Sequence, residues 1–136
     1  MKKGRKVLLK WIIVLVVFIV GVKVFMNQQL VKTYQRLDAV NIADVSNVED
    51  GTYEGIQETP LVKVTVEVSV KDHQITDIRL LRHENGNGAP AEAMIPVMIQ
   101  KNTSEVDEVS GATMSSKTIK AAVRNALEKG EIKCKL

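Results

Sequence analysis

An uninterrupted apolar run near the N-terminus constrains this chain most strongly. From Trp11 to Val22 no residue is charged or polar, and only Lys10 and Lys23 interrupt the wider window of residues 7–26. At about 1.5 Å per residue, a helix of this length spans the roughly 30 Å hydrocarbon core of a bilayer, and lysines near its ends reach the headgroups. We therefore predict a transmembrane anchor over residues 7–26.

The flanks of this run favour an uncleaved anchor over the alternative, a cleaved signal peptide. No small-residue cleavage site of the Ala-x-Ala type follows, and the sequence there is Val22-Lys23-Val24-Phe25-Met26. Basic residues precede the run at positions 2, 3, 5, 6 and 10. Because basic flanks stay in the cytoplasm, we predict a single-pass protein of the cell membrane, with a cytoplasmic tail at residues 1–6 and an extracytoplasmic domain.

Charge is divided unequally between the anchor and the rest of the chain. Residues 1–26 hold six of the 19 Lys and Arg and none of the 16 Asp and Glu, so the remainder carries 13 − 16 = −3. No basic patch remains there, and we predict no nucleic-acid partner. Cys134 is the single cysteine, which excludes an internal disulfide. We interpret it as an incidental residue of a tail at 131–136, with a reactive thiol as the alternative.

The segment between anchor and domain, residues 27–49, is predicted to be a stalk and a linker. Leu30, Tyr34 and Leu37 have helical spacing and predict a stalk helix over Gln28–Val40. The residues that follow, up to Asp50, are polar and acidic with isolated apolar positions. We interpret them as the linker into a domain at residues 50–130.

A period of two dominates the first part of this domain. Over Leu61–Val70 valines alternate with polar residues, which predicts a half-buried strand. Asp50–Gly55 predicts an earlier strand with its entry turn. Ile75–Arg82 predicts a further strand after a turn at Lys71–Gln74, so that the two longer strands form an antiparallel hairpin.

Helical spacing dominates the second part. After a loop at His83–Ala89, Pro90 suits the first position of a helix, and Pro96 within the pattern predicts a kink or an early end. The apolar stripe of this helix is Ala91, Met94, Ile95, Met98 and Ile99. The stripe of the last helix is Ile119, Ala122, Val123, Ala126 and Leu127. We predict an α+β fold, a small antiparallel sheet covered by two amphipathic helices.

The stretch between the two helices is small and rich in hydroxyl groups. Gly111 and Ala112 leave the backbone open to a ligand, and Thr113 offers a hydroxyl group. Ser115 or Ser116 is predicted to cap the last helix, which Gly130 ends. The start of a helix binds phosphate readily because its first N–H groups lack partners. Residue spacing alone favours a simpler alternative, a turn followed by an N-cap.

One motif in this stretch resembles the signature of the FMN-binding domain family. It is Asp107-x-x-Ser110-Gly111-Ala112-Thr113-x-Ser115-Ser116. The family includes flavin-carrying components of the sodium-translocating NADH:quinone reductase and of the Rnf complex, as well as stand-alone membrane-anchored members. The resemblance implies that a flavin transferase joins FMN through its phosphate to Thr113. The residues implied to be recognised by the transferase are Asp107, Ser110, Gly111, Ala112 and Thr113.

The resemblance extends over about residues 50–130. Asp50–Gly55 is similar to the opening of the family's domain, and Gly86-x-Gly88 followed by Ala91-Glu92-Ala93 is similar to the loop and helix of the stand-alone members. The larger complexes carry Glu-Thr-Pro-Gly where this chain has residues 84–87, and His73 stands where a glycine is frequent. The resemblance therefore implies a stand-alone member. The cofactor-binding residues that we predict are Thr113, Ser110, Gly111, Ala112, Ser115, Ser116, Gly86, Gly88 and His83.

Three of these candidates have structural alternatives. His83 follows a strand and precedes a Gly-rich loop, so it could face the flavin, although a lone histidine at a strand end is more often an exposed or packed residue. Gly86 and Gly88 could admit the ligand or serve only the turn. No metal-binding or catalytic set surrounds them in the sequence, and we predict no metal and no catalytic residue.

The function implied by this resemblance is electron transport. FMN supplies the redox chemistry, and the protein holds the cofactor near the membrane, where a quinone-linked or other redox protein donates electrons. We expect a carrier more than a stand-alone enzyme. An interaction or sensory module of the same fold, with FMN bound non-covalently or absent, is the alternative, and a structural envelope protein is a third.

Overall fold

The computed structural model describes residues 2–38 and 45–131, except for the side chains of residues 2–9, Leu30, Tyr34 and Asp38. Three predicted features therefore lie partly outside the described residues. They are the linker at residues 39–44, the tail at residues 132–136 with Cys134, and the side chains of Leu30 and Tyr34 in the stalk stripe. The chain divides into two compact units, Met1–Gln35 and Arg36–Leu136.

The first unit is a single helix. α1 runs over Lys2–Asp38, so that the predicted anchor and the predicted stalk helix form one continuous element. Among the described residues, the stretch Lys10–Leu37 is long and apolar enough to cross a membrane, a test that an N-terminal signal sequence also passes. The large apolar side chains between Trp11 and Met26 are exposed, Trp11 and Phe18 by more than two thirds. A helix that is apolar all round requires apolar surroundings such as lipid.

The second unit contains a three-stranded antiparallel sheet in the order β1-β2-β3. The strands are β1 (Gly51–Glu58), β2 (Lys63–Lys71) and β3 (Gln74–Glu84). The valines at even positions 62–70 are buried and their polar neighbours are not, which confirms the predicted alternation. The β2–β3 hairpin has only two central residues, Asp72 and His73, both with positive φ (52° and 59°). Two central residues with positive φ are typical of the type I′ turn, whose twist matches that of the strands.

Two bulges change the direction of the side chains along β3. The pairing register shifts between Ser69 and Val70 and again between Thr65 and Val66 of β2. The second shift leaves Leu81 as an extra residue, because Val66 pairs with Leu80 and Thr65 pairs with Arg82. His83 therefore lies opposite buried Val64, on the core side of the sheet.

The helix after β3 begins later than predicted. Ala89–Ala93 form a 3-10 turn, and α2 runs over Met94–Lys101, so Pro96 is its third residue. In a longer α-helix the ring of Pro96 would meet the carbonyl of Glu92. In the first turn of α2 its missing N–H costs no hydrogen bond, which explains the shortened helix.

The last helix, α3, runs over Thr113–Gly130 and ends at the predicted glycine. Its apolar stripe packs on the inner face of the sheet together with Met94 and Met98 of α2. The chain before β1 also joins this core, since Val45 and Val48 are buried and Val48 forms a bridge to Glu131. Residues 45–48, which we assign to a polar linker from sequence, therefore pack as part of the domain.

Candidate functional site

Thr113 is the first residue of α3, and its side chain is half-buried. The residue before it, Ala112, occupies the N-cap position and makes no side-chain capping bond. Among the described residues, the Thr113 hydroxyl and the backbone N–H groups of residues 113–115 have no hydrogen-bond partner, and the first bonded N–H is that of Ser116, 2.9 Å from the Ala112 carbonyl. A helix start of this kind presents free N–H donors beside a hydroxyl group.

The turn in front of Thr113 is open. The Ala112 N–H donates to the Val109 carbonyl at 3.0 Å, and Gly111 has φ +81°, which is the arrangement of a type II β-turn. Such a turn requires positive φ at this position, so glycine suits it. No heavy atom lies within 4 Å of the point where a Gly111 Cβ would stand, and Ser110 is exposed. A large ligand can therefore reach the Thr113 hydroxyl from this side.

The prediction that Ser115 or Ser116 caps α3 is wrong, because the N-cap position is Ala112, three residues before Ser115. Ser116 is fully buried, and its Oγ accepts from the Val109 N–H at 3.1 Å and donates to the Ala112 carbonyl at 3.0 Å. It braces the turn from inside and has no free hydrogen to offer a ligand. Ser115 is also buried. Serine is preferred at helix N-caps, but this preference takes no account of a hydrogen bond such as the one between the Ser116 hydroxyl and the Val109 N–H.

The Gly-rich loop after β3 packs against this helix start. A Cβ on Gly88 would stand 1.9 Å from the Ser115 Oγ, so only glycine allows the loop to approach so closely. Asn85 holds the loop, since its Nδ2 donates to the His83 carbonyl and its Oδ1 accepts from the Gly88 N–H at 2.9 Å. Gly86 is exposed, with open space around it. The structure thus brings together loop 83–88 and the stretch around Thr113, and Gly88 serves packing.

His83 is buried at the end of β3, with 3% of its side chain exposed. Its Nδ1 lies 2.8 Å from Glu92 Oε1, and its Nε2 is buried without a hydrogen-bond partner among the described residues. An unpaired buried polar atom costs about 1–3 kcal/mol. We assign no role to Glu92 from sequence, because the contact depends on the bulge in β3 and on the 3-10 turn, neither of which follows from local patterns.

A charged cluster fixes the segment before the site to α3. Glu105 accepts from Arg124 Nε at 2.7 Å and lies 3.2 Å from Lys120 Nζ, while Lys117 Nζ lies 3.7 Å from Glu108. Partial burial alone would raise the pKa of the Glu105 carboxyl, but the hydrogen bonds and charges of Arg124 and Lys120 outweigh it and lower the pKa. Residues 117, 120 and 124 share one helical face, so their spacing could have indicated this cluster.

A shallow groove begins beside the turn. It has a volume of about 220 Å³ and lies between α2 and the segment 106–109, with Met94, Val97 and Val109 among its apolar lining and Asp107 exposed at its rim. A larger cavity of about 600 Å³, by Ile56 near the other end of α3, has none of the predicted site residues in its lining. Among the described residues, no group of three His, Cys, Asp or Glu is placed to hold a metal ion.

The described parts fit a phosphorylated ring cofactor: an accessible hydroxyl, free N–H donors at a helix start, an apolar groove next to them and an unpaired imidazole nitrogen. They define a small α+β domain with an open helix start, the kind of helix end that binds phosphate readily. Residues 62–128 match the family model of the FMN-binding domain. The resemblance found in the sequence is thereby confirmed, and this chain carries an FMN-binding domain, which supports flavin binding.

A solved structure supports the fold. The crystal structure of the CPE2226 protein from Clostridium perfringens is similar to this chain with a TM-score of 0.50 and 19% identity, over 61% of this chain and 88% of that protein. At this identity the likeness concerns the fold alone. None of the curated proteins compared with this chain matches it.

Proposed function

We propose that this chain is a membrane-anchored, extracytoplasmic flavoprotein that carries FMN as a phosphoester on Thr113 and passes electrons from a membrane redox partner to an acceptor. The position of Thr113 carries this proposal. Its hydroxyl is free of internal hydrogen bonds among the described residues and stands at the open end of an 18-residue helix. The family match to an FMN-binding domain supplies the ligand.

The helix start suits a phosphate ester. When the transferase moves the FMN group from a flavin dinucleotide, the donor's pyrophosphate bond breaks, a nucleoside monophosphate leaves and the Thr113 hydroxyl loses its proton. The ester on Oγ1 keeps one negative charge on its phosphate, next to free backbone N–H groups at the positive end of the α3 dipole. Charge at this end of a helix contributes roughly 0.3–1 kcal/mol. Because Gly111 and Ala112 carry little or no side chain, a flavin transferase has access to the hydroxyl from the turn side. We assign the exposed residues Asp107 and Ser110 to recognition by that enzyme.

The covalent link has a physical reason outside the cytoplasm. FMN supplies the electron transfer, and the protein holds it and leaves part of it accessible. Free FMN is dilute outside the cell, so a reversibly bound cofactor would be lost, whereas an ester keeps it on the domain. The apolar stretch Lys10–Leu37 would keep the domain at the membrane, where a quinone-linked donor is available.

The attachment is tested with variants that differ only in the hydroxyl group. The full chain is co-expressed with a flavin transferase, denatured, separated on a gel and viewed under ultraviolet light. We expect a fluorescent band for the wild type and for Thr113→Ser, and none for Thr113→Val, which keeps the shape of the side chain. A dark wild-type band beside an active transferase contradicts the ester and favours a module that binds FMN reversibly or not at all.

The sidedness is tested separately. Gly86 is exposed and has open space around it, so Gly86→Cys in a Cys134→Ser background offers one accessible thiol. We expect a membrane-impermeant maleimide to label it in intact cells or spheroplasts. Labelling that requires permeabilised membranes would place the domain in the cytoplasm and contradict this part of the proposal.

A further inference from the structure

The sheet inserts an extra residue just before His83. Without the bulge at Leu81, strict alternation after Leu80 would place Arg82 on the core side and His83 on the outer side. With it, His83 lies inside, opposite Val64. Bulges re-aim side chains and are frequent next to binding sites.

The inward imidazole is held by a carboxylate. Glu92 belongs to the 3-10 turn after the loop, and its Oε1 lies 2.8 Å from His83 Nδ1. A carboxylate accepts hydrogen bonds, so Nδ1 carries the proton and donates a hydrogen bond to Glu92. Nε2 is then an acceptor when the ring is neutral and a donor when the ring takes a second proton.

The other nitrogen has no partner. Nε2 is buried and unpaired among the described residues, although buried polar atoms in folded proteins are nearly always hydrogen-bonded. The loop that follows His83 is tied back by Asn85, and Gly88 of this loop touches Ser115, two residues after Thr113. His83, which bears the unpaired nitrogen, is therefore the residue from which the loop bordering the start of α3 begins.

We propose that His83 Nε2 hydrogen-bonds the polar edge of the flavin ring, and that Glu92 is a positioning residue that fixes the orientation and the tautomer of the imidazole. This inference rests on the proposed function, since the ring belongs to the FMN on Thr113. Because Nε2 is buried in the described conformation, the proposed contact requires the residues that cover it to move when the flavin binds.

The chemistry of the ring edge matches either state of the imidazole. Neutral His83 accepts from the ring N3–H, and protonated His83 donates to the C2 carbonyl or N1. Reduction places negative charge on the N1–C2 region, so a protonated imidazole held by Glu92 stabilises the reduced flavin. The contact therefore affects the absorption and the reduction potential of the flavin, which a purely structural histidine would leave unchanged.

Two amide variants separate the two ring nitrogens. The amide of asparagine matches the Nδ1 position, so His83→Asn keeps the contact with Glu92 and loses Nε2. The amide of glutamine reaches the Nε2 position, so His83→Gln restores a polar atom there. In the full-length flavinylated protein in detergent, we expect His83→Asn to shift the flavin absorption band and lower the reduction potential, and His83→Gln to recover part of both.

Glu92 is tested in the same way. Glu92→Ala removes the partner of Nδ1 and is expected to shift absorption and potential in the same direction as His83→Asn, whereas Glu92→Gln keeps an acceptor and shifts them less. Thermal unfolding of the unflavinylated variants, followed by circular dichroism, tests whether each variant folds. With free FMN as the probe, loss of one such hydrogen bond is expected to weaken binding about tenfold.

The outcomes distinguish this inference from the proposed function. A fluorescent covalent band for folded His83→Asn, with wild-type absorption and potential, overturns the contact alone and indicates that a buried water satisfies Nε2. If Thr113 carries no flavin but free FMN binds, the same variants are compared by the dissociation constant of free FMN. If the wild type binds flavin by neither route, the proposed function and this inference are both wrong.

Discussion

The two ends of α3 use small residues for opposite purposes. Near its C-terminal half, the backbone of β1 comes so close that a Cβ on Gly55 would stand 1.9 Å from the Ala122 carbonyl oxygen. At its N-terminal end, Gly111 has no heavy atom within 4 Å of the same point. The contact at Gly55 is closed and leaves no room between strand and helix, while the turn at Gly111 is open and leaves space next to a free hydroxyl. A small residue therefore indicates space for a ligand only where no neighbouring backbone packs against it.

The largest effect is expected at the closed end. Gly55→Val forces a branched side chain against the backbone of Ala122 and Ala126, which belongs to a helix and cannot move aside easily. We expect a loss of roughly 3 kcal/mol in the free energy of unfolding, or failure to fold. Gly86→Val is the control, since open space surrounds it and a change within about 0.5 kcal/mol is expected.

Urea unfolding of both full-length variants in detergent, followed by circular dichroism, measures this difference. Equal unfolding midpoints for Gly55→Val and Gly86→Val would mean that β1 and α3 lie farther apart than described. In that case the contrast between a closed and an open end of the helix would be lost.

A second prediction concerns two hydroxyl groups three residues apart at the open end. Ser116 is buried with two internal hydrogen bonds, so Ser116→Ala leaves the Val109 N–H unpaired and is expected to cost about 1–3 kcal/mol. The Thr113 hydroxyl has no partner among the described residues, so Thr113→Val is expected to change stability by less than about 0.5 kcal/mol while it abolishes flavinylation.

Thermal unfolding of the unflavinylated chains compares the two variants. A larger loss for Thr113→Val than for Ser116→Ala would assign Thr113 to the folding core. It would also show that the dark gel band of that variant reports misfolding, which is why the retained stability is needed as a control for the attachment test.

The sequence predicts a strand or helix correctly where its apolar pattern depends on that element alone. The alternating valines of β2, the stripe of α3 and the glycine that ends it have the predicted positions, because burial on one face requires these periods. The predictions that are wrong concern positions that depend on the contact between two elements. Ala112 and not a serine precedes α3, because the Ser116 hydroxyl bonds back to the turn.

The candidate site divides in the same way. Thr113 is predicted from a contiguous motif, and its position beside an open turn at a helix start is a local property of the chain. The roles of Gly88 and Glu92 depend on where the β3 loop meets the helices, which is set by the register of β3 against β2. A register shift is a property of two strands, and no single stretch of sequence encodes it.

The smallest effect is expected for the ion pair between Arg124 of α3 and Glu105 of the segment before the site. Arg124 of the buried half holds Glu105, which precedes the site, and the pKa of Glu105 is lowered in the folded protein. A lowered carboxyl pKa contributes stability above the ordinary carboxyl value, and this contribution is lost as the pH falls through the lowered pKa. Glu105→Gln removes the contribution, so its stability should fall less steeply with acid than that of the wild type.

We expect a difference of roughly 0.5–1 kcal/mol at neutral pH, because the partly exposed pair is screened by solvent. Glu67→Gln is the matched control, since its partner Arg79 lies on the exposed face of the sheet and such pairs contribute little. Unfolding midpoints measured from neutral pH into the acid range decide between them. If Glu105→Gln and Glu67→Gln show the same acid dependence, the segment before Thr113 is not held by Arg124, and the Ser116 hydrogen bonds and the Lys117–Glu108 pair hold it instead.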